Sequence, residues 1–442
     1  MPWYLMLLIR KVVSLSASRH VPEWLLPLWV CFSLSCVFSL LMWQQSTGAG
    51  LNIFDALVSL PSLLILGPLM IRRGWVGKGF LMAAAPLAVY LAFSLLSLVW
   101  ANSPDYSKTF RAAGQSTAIF VLFSYLKLSG QTLLLKRALL LACVCTAALG
   151  AWHLFAMYGI LDMPWATTLY QGVGEQRLEA YGVKPANEML ATLLVAPQAA
   201  MLLGLILSEN NRSLRWVGFL ALAILLLFLV ALERRTGQVA IIVAIVTCII
   251  LYRNRVWFLL FGAAVLCGIL ILIFYPEFIL SRGLSWRPAI WMSTLDSIGS
   301  APFFGHGITN KVTPVVVFDH EQGVIQQFRH PHNMALSVIY FLGLFGFVFW
   351  VALWLPGVLA RIWVRPEKQQ DGYVLIPLLV GLAALMFDGG DPLSPFHFDW
   401  FCFWVPAMLL LSSQAVNGQH LMAGKNRSRL QCFFPPAYGK QV

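Results

Sequence analysis

Arginine and histidine are the side chains in this sequence best suited to chemistry on a phosphorylated substrate. Arg234 and Arg235 sit in a short turn, ERRTGQ, between two long apolar runs. Arg177, Lys184 and Arg287 fall in the two longest polar connections on the same side, which also carries Lys108, Arg111, Arg282, Lys311 and Arg329. A guanidinium binds phosphate bidentately and keeps its charge throughout the physiological range. Three loops that bring Arg177, Arg235 and Arg287 together would make one strong anion site. A single boundary arginine has a plainer reading: it snorkels to lipid headgroups, or pairs here with Glu233. The set points to an anionic substrate more than any member does alone.

The segment FRHPHNMALSVIYFLGLFG places His330 and His332 ahead of an apolar helix beginning near Met334. Asn333 or His332 can cap that helix. A helix N-terminus disfavours imidazolium, and Arg329 acts in the same direction. His332 is therefore expected to be neutral and able to accept a proton, as a general base must. The plainer role is a capping or hydrogen-bonding histidine. Gly343 and Gly346 are expected to break the helix into a short dip and a following span. Asp388 and Asp391, in FDGGDP, form the one plausible acidic cluster on this side, and an Asp-Gly turn is a plainer reading than a metal site. There is no G-x-S-x-G elbow, P-loop or H-E-x-x-H. Neither a metal nor a cofactor is expected.

The elements that must position these residues are membrane spans. Of 442 residues, 59% are hydrophobic and 11% charged, against about 25% charged in an ordinary soluble protein. Continuous apolar runs exclude a β-barrel, whose strands alternate over about ten residues. The net charge of +12 sits in short loops with no basic, aromatic-interleaved stripe, which excludes nucleic acid as a partner. Twelve spans are expected near 24–43, 51–71, 80–100, 113–129, 137–156, 186–207, 216–232, 237–252, 256–275, 345–363, 373–387 and 399–412. The positive-inside rule, with about 20 Lys and Arg inside against about 10 outside, puts both termini in the cytoplasm.

The expected organisation is an interfacial N-terminus over 1–23, nine spans over 24–275, a large outward loop over 276–332, a re-entrant segment and three spans over 333–412, and a basic tail over 413–442 lying against anionic lipid. The N-terminus lacks a cleavage site and reads as retained. Within the large loop, SWRPAIWMSTLDSIG predicts a surface helix with Trp291, Leu295 and Ile298 on one face and Arg287, Ser293 and Asp296 pointing elsewhere. All eight cysteines fall in spans or the tail, so no disulfide framework is expected.

Four motifs, in order along residues 100–410, resemble the bacterial O-antigen ligases, with the O-antigen polymerases as close relatives. They are Arg177 with Pro185-Ala186-Asn187, then Arg235-Thr236-Gly237, then Arg287 with Trp291 and the turn Pro302, Gly305, Gly307, and last His332-Asn333 followed after nine residues by Gly343. The last signature usually continues with a small residue, where this chain has Leu344. The resemblance implies an all-α polytopic protein of the bacterial inner membrane with its active site facing the periplasm. It implies a metal-independent glycosyltransferase that moves an undecaprenyl-diphosphate-linked glycan onto lipid A–core. On that reading Arg235 and Arg287, with Arg177, Lys184 and Arg234, grip the diphosphate. His332 activates the acceptor hydroxyl, and His330, Asn333 and Trp291 help to place it. An O-antigen polymerase is the alternative within the family. A protein O-oligosaccharyltransferase stands further off, since such relatives tend to carry a longer C-terminal part, and so does a transporter of lipid-linked glycan, because the spans carry almost no charge at mid-membrane.

Overall fold

In hydrocarbon every backbone N–H and C=O must be satisfied within the protein, so apolar runs of this length fold as α-helices. The computed structural model describes residues 24–43, 47–160, 188–232, 234–274, 287–308, 315–319, 324–328, 330–363 and 372–416. The helices are α1 Leu25–Trp43, α2 Gly48–Arg72, α3 Lys78–Leu96, α4 Tyr106–Leu128, α5 Thr132–Phe155, α6 Glu188–Ser208 and α7 Arg212–Ala231. They continue with α8 Arg235–Tyr252, α9 Arg255–Phe274, α10 Arg287–Ile298, α11 Met334–Ile362, α12 Gly372–Asp388, the short α13 Asp399–Cys402 and α14 over 404–416.

Each apolar run read from the sequence lies on a helix. Eight of the described helices are long and apolar enough to cross a bilayer: α1, α2, α3, α5, α6, α7, α8 and α11. Shorter apolar stretches lie on α9 and α12. The chain is a polytopic helical membrane protein. One element departs from the all-α expectation. Strands β1 Val315–Asp319 and β2 Val324–Phe328 pair antiparallel within the large loop, with Val315 opposite Phe328.

The helix ends sort into two layers. At one, the Lys127 Nζ donates to Leu409 O at 2.8 Å and to the Ser413 hydroxyl, and the Tyr252 hydroxyl lies against Gly372. At the other, α4 begins beside α2 and the segment after α12, through Arg111–Asp55 and Lys108–Asp391 pairs. Between these layers α6 forms the centre, packed by α12, α7 and α8, and 83% of its apolar window is buried, against 33% for α7. Lipid offers no hydrophobic drive to press helices together, so small residues at the crossings decide how closely they pack. At Gly204 of α6 a Cβ would lie 2.3 Å from the Tyr373 backbone nitrogen, so only glycine lets α6 meet α12 there.

The residues that the surface helix α10 buries most fully lie outside the group Trp291, Leu295 and Ile298. Ile290 and Thr294 are buried, while Leu295 and Met292 are exposed. Arg287, three and seven residues before them, is on that inward side and does not point away.

Helix α11 bends at Gly343, whose φ of 65° is left-handed; Gly346 remains helical. The bend releases backbone groups that need partners, and the turn after α10 supplies them. His306 N–H donates to Tyr340 O and Gly307 N–H to Phe341 O, both at 2.9 Å. In return Leu344 N–H donates to Pro302 O at 2.9 Å and Phe345 N–H to Phe303 O at 3.2 Å. The Pro-x-x-Gly-x-Gly turn and the distant Gly343 are thus one structural unit. A Cβ on Gly343 would lie 2.2 Å from the Phe303 carbonyl. We expect Gly343→Ala to cost about 2–5 kcal/mol, from the left-handed backbone and the clash together. It should appear as a lower thermal transition and reduced yield of monodisperse protein, and an unchanged transition would refute this docking.

Candidate functional site

The site forms where four helix ends meet at one carboxylate. Asp388 ends α12 with its side chain only 3% exposed. Its Oδ1 accepts from Arg287 Nη2 at 2.6 Å, and its Oδ2 accepts from the Thr236 hydroxyl. Arg287 Nε also donates to Phe387 O at 3.0 Å. The guanidinium at the start of α10 is therefore fixed in plane by a carbonyl and a carboxylate. Thr236 lies in the first turn of α8, next to Arg235 and the N-cap residue Arg234.

His332 reaches this cluster from the start of α11. Its φ of 51° is left-handed, a conformation histidine tolerates better than bulky residues do. The Asn333 side chain explains how the turn is held. Its Oδ1 accepts from Leu336 N–H and its Nδ2 donates to Met386 O, both at 3.0 Å. Asn333 therefore caps α11 and ties it to the end of α12. Both ends of its amide are engaged in the fold, which makes it the anchor of the turn that carries His332, the capping role the sequence offered. The His330 and His332 rings lie 4.1 Å apart.

Burial holds the His332 ring neutral, the state the sequence reading expects. Its pKa is pushed down to about 4, first by burial and then by His330. Asp388 opposes this and Arg287 reinforces it. Burial also lowers His330, against the pull of Asp391 and Asp388. Both imidazoles can thus accept a proton at neutral pH, with Arg287 beside them to favour negative charge.

Of the expected site residues, the structure brings together Arg287, His330, His332 and Asn333, while Arg234 and Arg235 immediately precede Thr236 in the chain. Arg177, Lys184 and Arg329 lie outside the described residues. Trp291, one turn after Arg287, is half-buried, and its indole Nε1 is buried with no hydrogen bond among the described residues. Two outward cations, Lys108 and Arg111, are paired with Asp391 at 2.9 Å and Asp55 at 2.7 Å.

Sequence reasoning missed the central role of Asp388. FDGGDP had been weighed as a turn or a metal site; instead Asp388 neutralises Arg287 and Asp391 neutralises Lys108. Among the described residues no group of His, Cys, Asp and Glu is arranged to hold a metal ion. The one signal in the sequence was Thr236 beside Arg235, a polar residue opening a span with no stated partner.

Residues 220–351 match the family model for O-antigen ligase, a region that contains Arg235, Arg287, His332 and Gly343. Over 406 residues the chain is 28% identical to an O-antigen ligase of Pseudomonas aeruginosa, covering 89% of this chain and 91% of the relative. No solved structure matches. The resemblance carried by the four motifs is thereby met by similarity to an O-antigen ligase along most of the chain and to that family's model over residues 220–351.

Proposed function

We propose that the protein is an O-antigen ligase, an inverting glycosyltransferase that moves a glycan from undecaprenyl diphosphate to lipid A–core. The observation that carries this reading is the meeting of Arg287, Thr236 and neutral His332 around Asp388. Arg235 and Arg287, with Arg177 and Lys184 from the preceding loop, hold the diphosphate. The acceptor oxygen attacks the anomeric carbon as the bond from that carbon to the phosphate oxygen breaks. The diphosphate leaves with the electron pair, and His332 takes the acceptor proton. Fixed guanidinium groups stabilise the charge developing on the leaving group without reorganising during the step, and attack from the opposite face inverts the anomeric centre.

In this reading the chain crosses the bacterial inner membrane twelve times with both termini in the cytoplasm, and the site opens to the periplasm. The arginines take the part that a divalent cation plays in metal-dependent transferases. The test is transfer by the purified protein from undecaprenyl-diphosphate-linked glycan to lipid A–core in EDTA. A mobility-shifted lipopolysaccharide is the expected product. Longer glycan still attached to the carrier would mean a polymerase, and neither product would favour lipid-linked glycan transport.

A further inference from the structure

We propose that the cavity beside the arginine–histidine cluster is a sugar subsite, which holds a neutral, hydroxyl-rich ring through Ser394, His397 and Asp399. This rests on the transfer reading above and assigns the part of the substrate that the arginines do not address.

The cavity has a volume of about 450 Å³ and lies between the starts of α4 and α6 and the segment joining α12 to α13. That is within the range of about 300–1,000 Å³ typical of small-molecule sites. His330 and Asp388, which also flank His332, form part of its wall. A ring bound there would present a hydroxyl beside the proposed base.

Its polar groups are unspent. Ser394 is 5% exposed, and its hydroxyl is buried with no hydrogen-bond partner among the described residues. The His397 ring and the Asp399 carboxylate line the same space, and no hydrogen bond or ion pair engages either side chain among the described residues. Native proteins rarely leave such groups unsatisfied, so each is suited to take a hydrogen bond from a bound ring. His397 is held neutral, its pKa pushed down to about 4, mainly by burial. Burial raises the Asp399 pKa to about 7, so its carboxyl can donate as well as accept; with a neutral imidazole and a serine hydroxyl, which also do both, this is the complement that vicinal hydroxyls need. Leu190 and Leu193 supply an apolar side for the C–H face of a ring.

Charge selects against phosphate here. Lys108 is matched by Asp391 and Asp388 is matched by Arg287, so the charges of this wall are already compensated. A diphosphate needs counter-charge to replace its water, whereas an uncharged polyol does not.

The segment is also held in advance. Gln115 Oε1 accepts from Phe396 N–H at 2.7 Å, the Tyr90 hydroxyl donates to Pro392 O at 2.9 Å, and Trp400 Nε1 donates to Ser394 O at 2.9 Å. Gln115 is itself fixed, donating to Asp55 at 2.7 Å. Three helices thus preorganise the wall, which lowers the entropic cost of binding.

The test uses the full chain in detergent and calorimetric titration of three probes: deacylated core oligosaccharide, undecaprenyl-diphosphate-linked glycan, and undecaprenyl diphosphate without sugar. Ser394→Leu fills the cavity, and Asp399→Asn removes the carboxylate without changing its shape. We expect both to weaken the core oligosaccharide at least tenfold and to leave undecaprenyl diphosphate unaffected. A loss confined to the glycan-linked carrier would keep the subsite and assign its ring to the donor. Unchanged affinity for both sugar-bearing probes would overturn the proposal and leave the cavity holding water only. If Ser394→Leu fails to give monodisperse protein, the near-isosteric Asp399→Asn decides. Wild-type protein that binds sugar through this cavity but makes no lipopolysaccharide would refute the transfer reading and spare the subsite. Normal transfer with sugar affinity unmoved in the variants would do the reverse.

Discussion

Arg287→Lys is expected to lose transfer almost as completely as Arg287→Ala, at least about a hundredfold in initial rate, the loss typical when one fixed donor to a developing anion is removed. Charge alone does not suffice at this position. Arg287 spends Nε on Phe387 O and Nη2 on Asp388 Oδ1, and the planar fork then fixes how the group faces the substrate. A lysine ammonium is a single point on a flexible stem and cannot meet the carbonyl and the carboxylate while presenting a fixed edge to phosphate. Arg287→Ala carries a second penalty, because it strands Asp388, 3% exposed, without its cation. Such a loss costs about 3–5 kcal/mol when both partners are buried, and Arg287, 29% exposed, puts it toward the lower end. The double variant Arg287→Ala with Asp388→Asn should therefore recover thermal stability and still fail to transfer. Arg287→Lys within about threefold of wild type would remove Arg287 from the diphosphate site; that threshold is small beside the factor of about a hundred set by a lost donor.

This separation of stability from activity depends on Asp388, which the sequence made visible only as half of an acidic turn. Arginines outside the membrane and a histidine before a helix are conspicuous because hydrophobic spans leave them few ordinary reasons to be there. A carboxylate at the end of a span has several, and its partners lie 101 and 152 residues away. Nothing local announces such a pairing. The same holds for the cavity: Ser394, His397 and Asp399 lie in a short segment of unremarkable composition, and only the fold of α2, α4 and α6 around it gives them a common space.

The helices themselves were legible because a run of about 20 apolar residues has few alternatives in a bilayer. Failures came where that constraint lapses. On α10, outside the spans, helical spacing grouped Trp291, Leu295 and Ile298 on one face, and only the fold shows that Ile290 and Thr294 are the residues buried against the rest of the protein. The β1–β2 hairpin lies in the same loop, where water can satisfy the backbone and strands become possible. Gly343 was recognised as a break. Its reason, hydrogen bonds with a turn some forty residues earlier, required the fold.

His332 should prove a proton acceptor and not only a positioner, and two variants with a pH profile decide it. The acceptor is an alcohol, so the proton must leave as the new bond forms, and a placed base contributes about 10²–10⁴ in rate. Loss on that scale is expected for His332→Ala. His332→Asn is the sharper variant. Asparagine tolerates the left-handed backbone at φ 51° and still hydrogen-bonds, but it does not take up a proton under these conditions. If His332 only positions the hydroxyl, His332→Asn keeps much of the activity; if it accepts the proton, the variant falls with His332→Ala. We expect the second. The profile of kcat/KM follows from the depressed pKa. Burial, His330 and Arg287 favour the neutral ring and Asp388 opposes them, leaving a pKa of about 4. The basic form then dominates from pH 8 to about pH 5, and activity falls only as pH drops through about 4. A half-loss near 6.5, the ordinary histidine value, would mean that the ring titrates as if exposed, and the buried base of this structure would not be the one that acts.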